Sequence, residues 1–490
     1  MRKLTLFLLL ALSQVAAPAA WGQAAYRNLT IEGKVTSQGH PVASVPVTDG
    51  ANIVLTDASG VYRLESNSLH RYVYYTLPSG FESAVENSLP KFYKAIPEDA
   101  KGVVKADFEL FPAKTDQTRH VFFVWADPQV RVEKEFALLD KVRDDVIATV
   151  RSYGDKVPVH GISLGDEVFD VPELYAPYKE TIATIGVPFY QVLGNHDMDY
   201  NMRSDYFSDL RYSREFGPSH YAFNRGRAHY VVLKDIFYDG DEHNYIGYIT
   251  EEQLAWLELD LKTVKPGSLV IVALHSPTTY GDTESAPPDQ VMRSSVVNKD
   301  ALYKILAPYN VHILAGHSHN QWNTVIADNI MEHVHAAACG AWWQGPVTTD
   351  GVPNGYTVYE VDGDELSWYF KGVGLPLGTD QMKVYPVGAG GDFPGQIIAN
   401  VYNYDPAWTV SWYENGVRMG NMERFWGVDP LAGKLYPPGG NATYKWLGVH
   451  ATHHLFRATP HDPAAKIGVV ATDRFGNVYR SFAATTPSAN

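Results

Sequence analysis

Apolar residues fall along this chain in three patterns. From Tyr26 to about Pro112 they come in short alternating segments broken by Gly, Pro and Asp, as in "IEGKVTSQGHPVASVPVTDGANIVLTDASGVYRL". Period-two alternation with turn residues at this spacing predicts a small β-sandwich. From about His120 to Val373, strand-length apolar runs alternate with helical patterns such as "EKEFALLDKVRDDVIATV" and "TEEQLAWLELDLKTV", the latter with Thr250 as its N-cap. Such alternation predicts an α/β domain. After "GVGLPLGTDQ" the chain returns to short aromatic-rich strands, and the Asn-Gly of "WTVSWYENGVRM" signals a hairpin. The expected division is an N-terminal β-sandwich over 25–113, an α/β domain over 114–375 and a C-terminal all-β domain over 376–490. "KTDQTRH" links the first two, and each domain is expected to bury its own core.

The opening 24 residues differ from everything after them. Arg2 and Lys3 precede an apolar block from Leu4 to Leu12 and then small residues, the order of a secretory signal peptide with plausible cuts after Ala19 or Ala24. The block is too short to span a bilayer, and no later run approaches eighteen apolar residues, so no transmembrane segment is expected. The only cysteine is Cys339, which excludes an intrachain disulfide and a lipid-anchored cysteine near the cut. An exported chain without disulfides suits a bacterial periplasm or cell surface, and the sequons at Asn28 and Asn441 then read as chance matches. Apolar residues make up 45% of the chain and charged residues 19%, a globular balance. The net charge of −15, or about −17 without Arg2 and Lys3, disfavours nonspecific nucleic-acid and anionic-membrane binding. A polyanionic substrate must be attracted locally.

Five apolar runs of the middle domain end on residues able to bind a hard or borderline cation. They are "VFFVWAD" at Asp127, "VHGISLGD" at Asp166, "PFYQVLGN" at Asn195, "LVIVALH" at His275 and "VHILAGH" at His317. Gln129 and His319 each lie two residues beyond such an end. Singly, an Asp after a strand is a turn residue and a His is a hydrogen-bonded core residue. Ligands of α/β sheets, however, gather outside the carboxyl ends of the strands, which would bring all five together. Glycine stands immediately before Asp166, Asn195 and His317, where it permits close backbone approach.

The blocks "DPQ" at 127–129, "GDEVFD" at 165–170, "GNHD" at 194–197, "LHS" at His275 and "GHSH" at 316–319 resemble, in order, the signature blocks of calcineurin-like metallophosphoesterases. The flanking β regions are similar, less specifically, to modules that accompany this domain in an exported bacterial subfamily. The resemblance implies a two-sheet sandwich flanked by helices and hydrolysis of phosphoesters by a metal-bound hydroxide. It implies two divalent metals (Mn, Fe, Zn or Mg) bridged by Asp166, one held by Asp127, Gln129 and His319 and the other by Asn195, His275 and His317. Oxygen and imidazole donors without thiolate suit such ions, and a pair of them about 3.5–4 Å apart can clamp a phosphoryl group. His196 would meet the leaving-group oxygen. Asp197 would hold its ring, the alternative being that Asp197 is a turn cap; Asp170 reads as an outer residue rather than a ligand.

Gln129 departs from the family's commoner His. Its carbonyl oxygen is a harder, weaker donor, which leaves that metal's identity open, as does the alternative that Gln129 only bonds a metal-bound water. Trp342 and Trp343 in "CGAWWQG", with the loop "DGVPNGY" from Asp350 to Tyr356, are candidates to wall a substrate pocket for a ring or choline-like group, or else core residues. His220, His229, His312, His333 and His335 read as core or surface histidines, and those of "VHATHHLF" lack a carboxylate at obvious spacing. The expected substrate is a phosphorylated small molecule, a lipid head group or a phosphoprotein. Phosphomonoester against phosphodiester or nucleotide pyrophosphate remains open. The rival class is an inactive core whose β modules bind a surface partner.

Overall fold

The computed structural model describes residues 26–280, 288–440 and 442–483. The leader expected at 1–24 and Asn441 lie outside them. Among the described residues no helix is long and apolar enough to cross a membrane.

The middle of the chain contributes two mixed sheets. The first takes β1 (Arg119–Trp125), β2 (Val159–Ser163) and β3 (Phe189–Gln191), parallel to one another in the order β3-β2-β1. The second takes β4 (Tyr221–Arg225), β5 (Ala228–Val232), β6 (Leu269–Ala273), β7 (Asn310–Ala315), β8 (Trp322–Ala327) and β9 (Ile330–Val334) in the order β4-β5-β6-β7-β9-β8. Its four inner strands are parallel and its two edges antiparallel. The hairpin of β10 (Gly355–Asp362) and β11 (Glu365–Gly372) returns to close the first sheet, β10 lying antiparallel to β1. Near-continuous apolar runs are what strands covered on both faces require. Phe122, Val124, Ile162 and Tyr190 of the first sheet share one core with Phe223, Tyr230, Ile271 and Ile313 of the second. Tyr190 stacks on Phe223 at 3.8 Å between centroids.

Helices cover the outer faces. Leu139, Val142 and Val146 of α1 (Phe136–Tyr153) and Tyr178 and Ile182 of α2 (Tyr175–Ala183) pack on Phe123, Trp125 and Phe189. Trp256 and Leu257 of α3 (Glu251–Leu261) and Leu302 and Leu306 of α4 (Lys299–Leu306) join the inter-sheet core. Thr250 caps α3 by accepting from the Gln253 N–H.

The N-terminal region forms a five-stranded sheet on Asn28–Ser37, a four-stranded sheet that includes Tyr72–Tyr75, and two two-stranded ribbons. Leu29, Ile31, Val47 and Leu110 belong to the same continuous core as the α/β sheets, so this module does not bury a core of its own as expected. Buried polar contacts reinforce the seam: Trp256 Nε1 donates to Thr48 Oγ1 at 3.2 Å and Thr76 Oγ1 to Asp260 Oδ1 at 2.9 Å. Two four-stranded sheets beyond residue 381 enclose a separate core around Val401, Trp412 and Val469. The "ENG" hairpin joins Thr409–Glu414 to Val417–Asn421, with Asn415 and Gly416 both at positive φ, as a tight hairpin turn demands.

The loop that opens on Asp350 packs against the C-terminal sheets. Asp350 is fully buried against the C-terminal sheets, accepting from the Gln321 N–H and facing His454 Nε2 at 3.1 Å. Asn400 Nδ2 donates to the Asp350 carbonyl. His454 thus has the carboxylate partner that local spacing did not reveal. His229, His312, His333 and His335 are buried: His229 meets Asp260 at 2.7 Å, and His312 and His333 pair at 2.8 Å.

Candidate metal centre

All five strand ends converge, and they do so across two sheets rather than along one. Asp127, Asp166 and Asn195 follow β1, β2 and β3; His275 and His317 follow β6 and β7. Donor atoms of Asp166, His275 and His317 lie within 4.8 Å of one another, as do those of Asp127, Asp166 and His319. Asn195 Oδ1 lies 3.0 Å from His275 Nε2, joining the first group, and Gln129 Nε2 lies 2.5 Å from Asp166 Oδ2, joining the second. Asp166 alone belongs to both.

The backbone is bent to make this possible. Asp127, Gln129, Asp166, His317 and His319 hold φ between 36° and 66°, a left-handed conformation that costs non-glycine residues on the order of 1 kcal/mol each. Clustering of that strain at one point marks a functional site. The preceding glycines are dictated by crowding. A Cβ on Gly194 would lie 2.2 Å from the Asp166 N and Oδ1, and one on Gly316 would lie 2.7 Å from Asp127 Oδ2.

Hydrogen bonds at the far side of each ring fix which nitrogen faces inward. His275 Nδ1 donates to the Leu164 carbonyl at 2.7 Å, leaving Nε2 for the centre. His317 Nε2 donates to the Arg293 carbonyl at 3.1 Å, leaving Nδ1. Asp235, buried after β5, accepts from the backbone N–H of His275 and Ser276 and so fixes the end of β6. It was legible by the same rule as the others, since "VVLKD" is a further apolar run ending on a carboxylate.

These residues fit divalent cations. His275 Nε2 stands 3.1 Å from His317 Nδ1, 3.0 Å from Asn195 Oδ1 and 3.4 Å from Asp166 Oδ1. A single proton on Nε2 can bond only one of these acceptors; a cation satisfies them all. Burial opposes charge on His275, but Asp166 outweighs it and raises the imidazole to about 10, whereas burial and the neighbouring His275 hold His317 down to about 3. Buried Gln129 Oε1 has no partner, and turning the amide over would aim that oxygen at the gap among Asp127, Asp166 and His319. The absence of thiolate among the inward donors agrees; Cys339 Sγ lies 3.8 Å from His319 Nδ1, the nitrogen opposite Nε2, which lies 3.4 Å from Asp127 Oδ1.

Asp197 does not hold His196. Its carboxylate accepts from the backbone N–H of Gly194 at 3.0 Å and Asp166 at 2.8 Å and from Tyr175 Oη at 3.1 Å, tying the turn after β2 to the turn after β3. The capping alternative is the one realised, because those buried amides would otherwise be unsatisfied. His196 instead pairs through Nδ1 with Asp170 Oδ1 at 2.9 Å, and Phe169 stacks on the ring at 4.0 Å. Burial opposes protonation of His196, but Asp166 and Asp170 together raise it. Of the two tryptophans, Trp342 stacks on His319 at 4.2 Å, and Trp343 Nε1 donates to the Pro128 carbonyl at 3.1 Å, bracing the "DPQ" turn.

Gln129→His replaces a carbonyl donor with imidazole, from which Zn²⁺ gains more than Mn²⁺ or Mg²⁺. Parallel titrations of the two proteins should show tighter binding at one site, by about tenfold or more for Zn²⁺, and activation shifted toward Zn²⁺ or Fe²⁺. Unchanged affinity and preference would place Gln129 outside the ligand set.

Three family models match: the N terminal of calcineurin-like phosphoesterase over residues 29–113, calcineurin-like phosphoesterase over 138–321, and the C terminal of calcineurin-like phosphoesterase over 332–479. The chain belongs to the calcineurin-like phosphoesterases, with both accompanying modules. Among curated proteins it is similar to the probable glycerophosphodiester phosphodiesterase GpdQ of Arcobacter nitrofigilis, 25% identical over 172 residues, or 34% of this chain. The matched stretch spans 59% of that relative's length. Similar solved structures include a dimetal phosphatase from Danio rerio, 16% identical with TM-score 0.38, covering 52% of this chain and 96% of that one. Another is a purple acid phosphatase from yellow lupin (Lupinus luteus) seeds, 13% identical with TM-score 0.40, covering 72% of this chain and 68% of that one.

Proposed function

We propose that this protein hydrolyses phosphoesters with the help of two divalent cations, and that it does so after export to the periplasm or surface of a bacterial cell. The observation that carries the reading is the pair of overlapping donor groups sharing Asp166, set beside a carboxylate-held histidine. Asp127, Gln129, Asp166 and His319 would hold one ion, and Asp166, Asn195, His275 and His317 the other. Such ions supply positive charge for the phosphoryl oxygens and acidify a water.

The chain's own residues do the rest. With Nδ1 engaged by Asp170, His196 keeps Nε2 as its free nitrogen, and the Asp170 carboxylate favours N–H there. It can therefore hydrogen-bond the leaving oxygen and hand it a proton as the ester bond breaks. Asp197 and Asp235 keep the turns in register, and Phe169 fixes the imidazole plane. The leader pattern at 1–24 supports export, which the N-terminal sequence of the protein recovered from a periplasmic fraction would test.

The name of the Arcobacter nitrofigilis relative favours diesters as a second reading. Metal-reconstituted protein assayed on p-nitrophenyl phosphate, bis-p-nitrophenyl phosphate, nucleotides, glycerophosphodiesters and phosphopeptides should turn over at least one class, lost on chelation. No turnover of any class with both sites filled would leave the inactive, surface-binding alternative.

A further inference from the structure

One segment of the C-terminal module reaches the metal centre. Trp446, 54% exposed, meets Trp342 edge-on at 4.4 Å, and Trp342 in turn lies flat on His319. On its other side Trp446 faces Phe169, nearly parallel at 6.4 Å, and Phe169 lies flat on His196. A continuous row of rings therefore runs from a candidate metal ligand to the residue that meets the leaving group. Tyr444 also lies parallel to the indole at 5.3 Å, so the half of Trp446 left exposed is framed by aromatic rings beside which a further flat ring can stack.

A second feature adjoins it. Arg131 lies with its guanidinium 5.1 Å over Phe169 and 4.8 Å over Tyr444. Arg131, Lys134 and Lys141 line a cleft of about 550 Å³ between α1 and the C-terminal module. Among the described residues none of the three forms an ion pair. In a chain of net charge −15, three cations around one cleft, set against the single carboxylate of Glu135 that also lines it, are a local attraction for anions.

We propose that the C-terminal module completes the leaving-group side of the centre. Trp446 receives a flat ring, and Arg131 with Lys134 and Lys141 receives an anionic group attached to it, the chemistry of a nucleotide portion rather than a small alcohol. The assignment rests on the phosphoesterase reading above. An arginine held over two aromatic rings is preorganised for phosphate, and stacking a base on an indole strengthens binding by about tenfold or more.

The test is calorimetric binding of adenosine 5′-monophosphate, glycerol 3-phosphate and phosphocholine to the metal-loaded full chain. The monophosphate should bind about tenfold or more tighter than glycerol 3-phosphate. Trp446→Ala should bring the two within about threefold, and Trp446→Phe should keep most of the difference. Lys134→Gln with Lys141→Gln should weaken both phosphates, reduce the salt dependence of binding and preserve their ratio. Equal affinities in the wild type, a ratio that survives Trp446→Ala, or tightest binding of phosphocholine would overturn the proposal. Turnover of p-nitrophenyl phosphate or bis-p-nitrophenyl phosphate by the metal-loaded wild type separates this failure from that of the phosphoesterase reading, whose failure would leave neither ester hydrolysed.

Discussion

Asp166→Asn is expected to empty both metal sites together, taking metal content from close to two ions per chain to well below one, and to cut turnover by ~10³-fold or more. The carboxylate is the only donor common to the two groups, and its oxygens face different partners: Oδ1 the His275 side and Oδ2 the Gln129 side. Asparagine can present one carbonyl oxygen to one site and must turn an N–H₂ on the other, which no cation tolerates. The loss of a negative charge weakens both sites further. Elemental analysis of wild type and variant after reconstitution reads the occupancies, and circular dichroism of the metal-free proteins controls for folding. One tightly held ion that Asp166→Asn leaves in place would sink the dinuclear assignment.

His196→Ala should lower kcat by about 10²-fold or more while metal content stays near two, the scale of a lost acid-base group. The size of the loss should depend on the leaving group. Alkyl esters, whose departing alkoxide needs a proton, should suffer most, and p-nitrophenyl esters least. Asp170→Asn should follow the same dependence at roughly a tenth of the cost, because it acts through the orientation and charge of the His196 ring. Asp197→Asn should behave otherwise. It leaves buried backbone amides without a full acceptor, so its cost of about 1–3 kcal/mol should appear in stability and metal affinity and be indifferent to the leaving group. A His196→Ala enzyme with unchanged turnover, or one that loses its metals, would remove His196 from proton transfer. If Asp197→Asn instead shows the leaving-group dependence, the pairing of His196 with Asp170 does not govern the reaction.

The sequence by itself determined the alternation of elements, the three textures of the chain and the residues that gather at the centre. Strand runs that stop on Asp, Asn or His, three of them after glycine, are a local signal. A parallel strand's carboxyl end has one side of the sheet to face, so the chemistry there can be read without coordinates. Asp235 shows that the rule was broader than the five positions first drawn from it. Whether the N-terminal module buries a core of its own was decided only by tertiary structure, since Leu29 and Leu110 find their partners across a seam that no periodicity marks. The partners of His196, Asp197 and His454 were likewise settled by folding. A carboxylate adjacent in sequence to His196 points where its own turn sends it, toward the amides of Gly194 and Asp166, while one 26 residues away comes within 2.9 Å. Trp446 is the extreme case. Nothing around it in the sequence resembles a site, and it comes to the centre because packing of the C-terminal module against Ala341 and Val347 carries it there. Local chemistry fixes which groups can act; long-range packing fixes which of them meet, because the burial that brings distant surfaces together has no preference for neighbours in the chain.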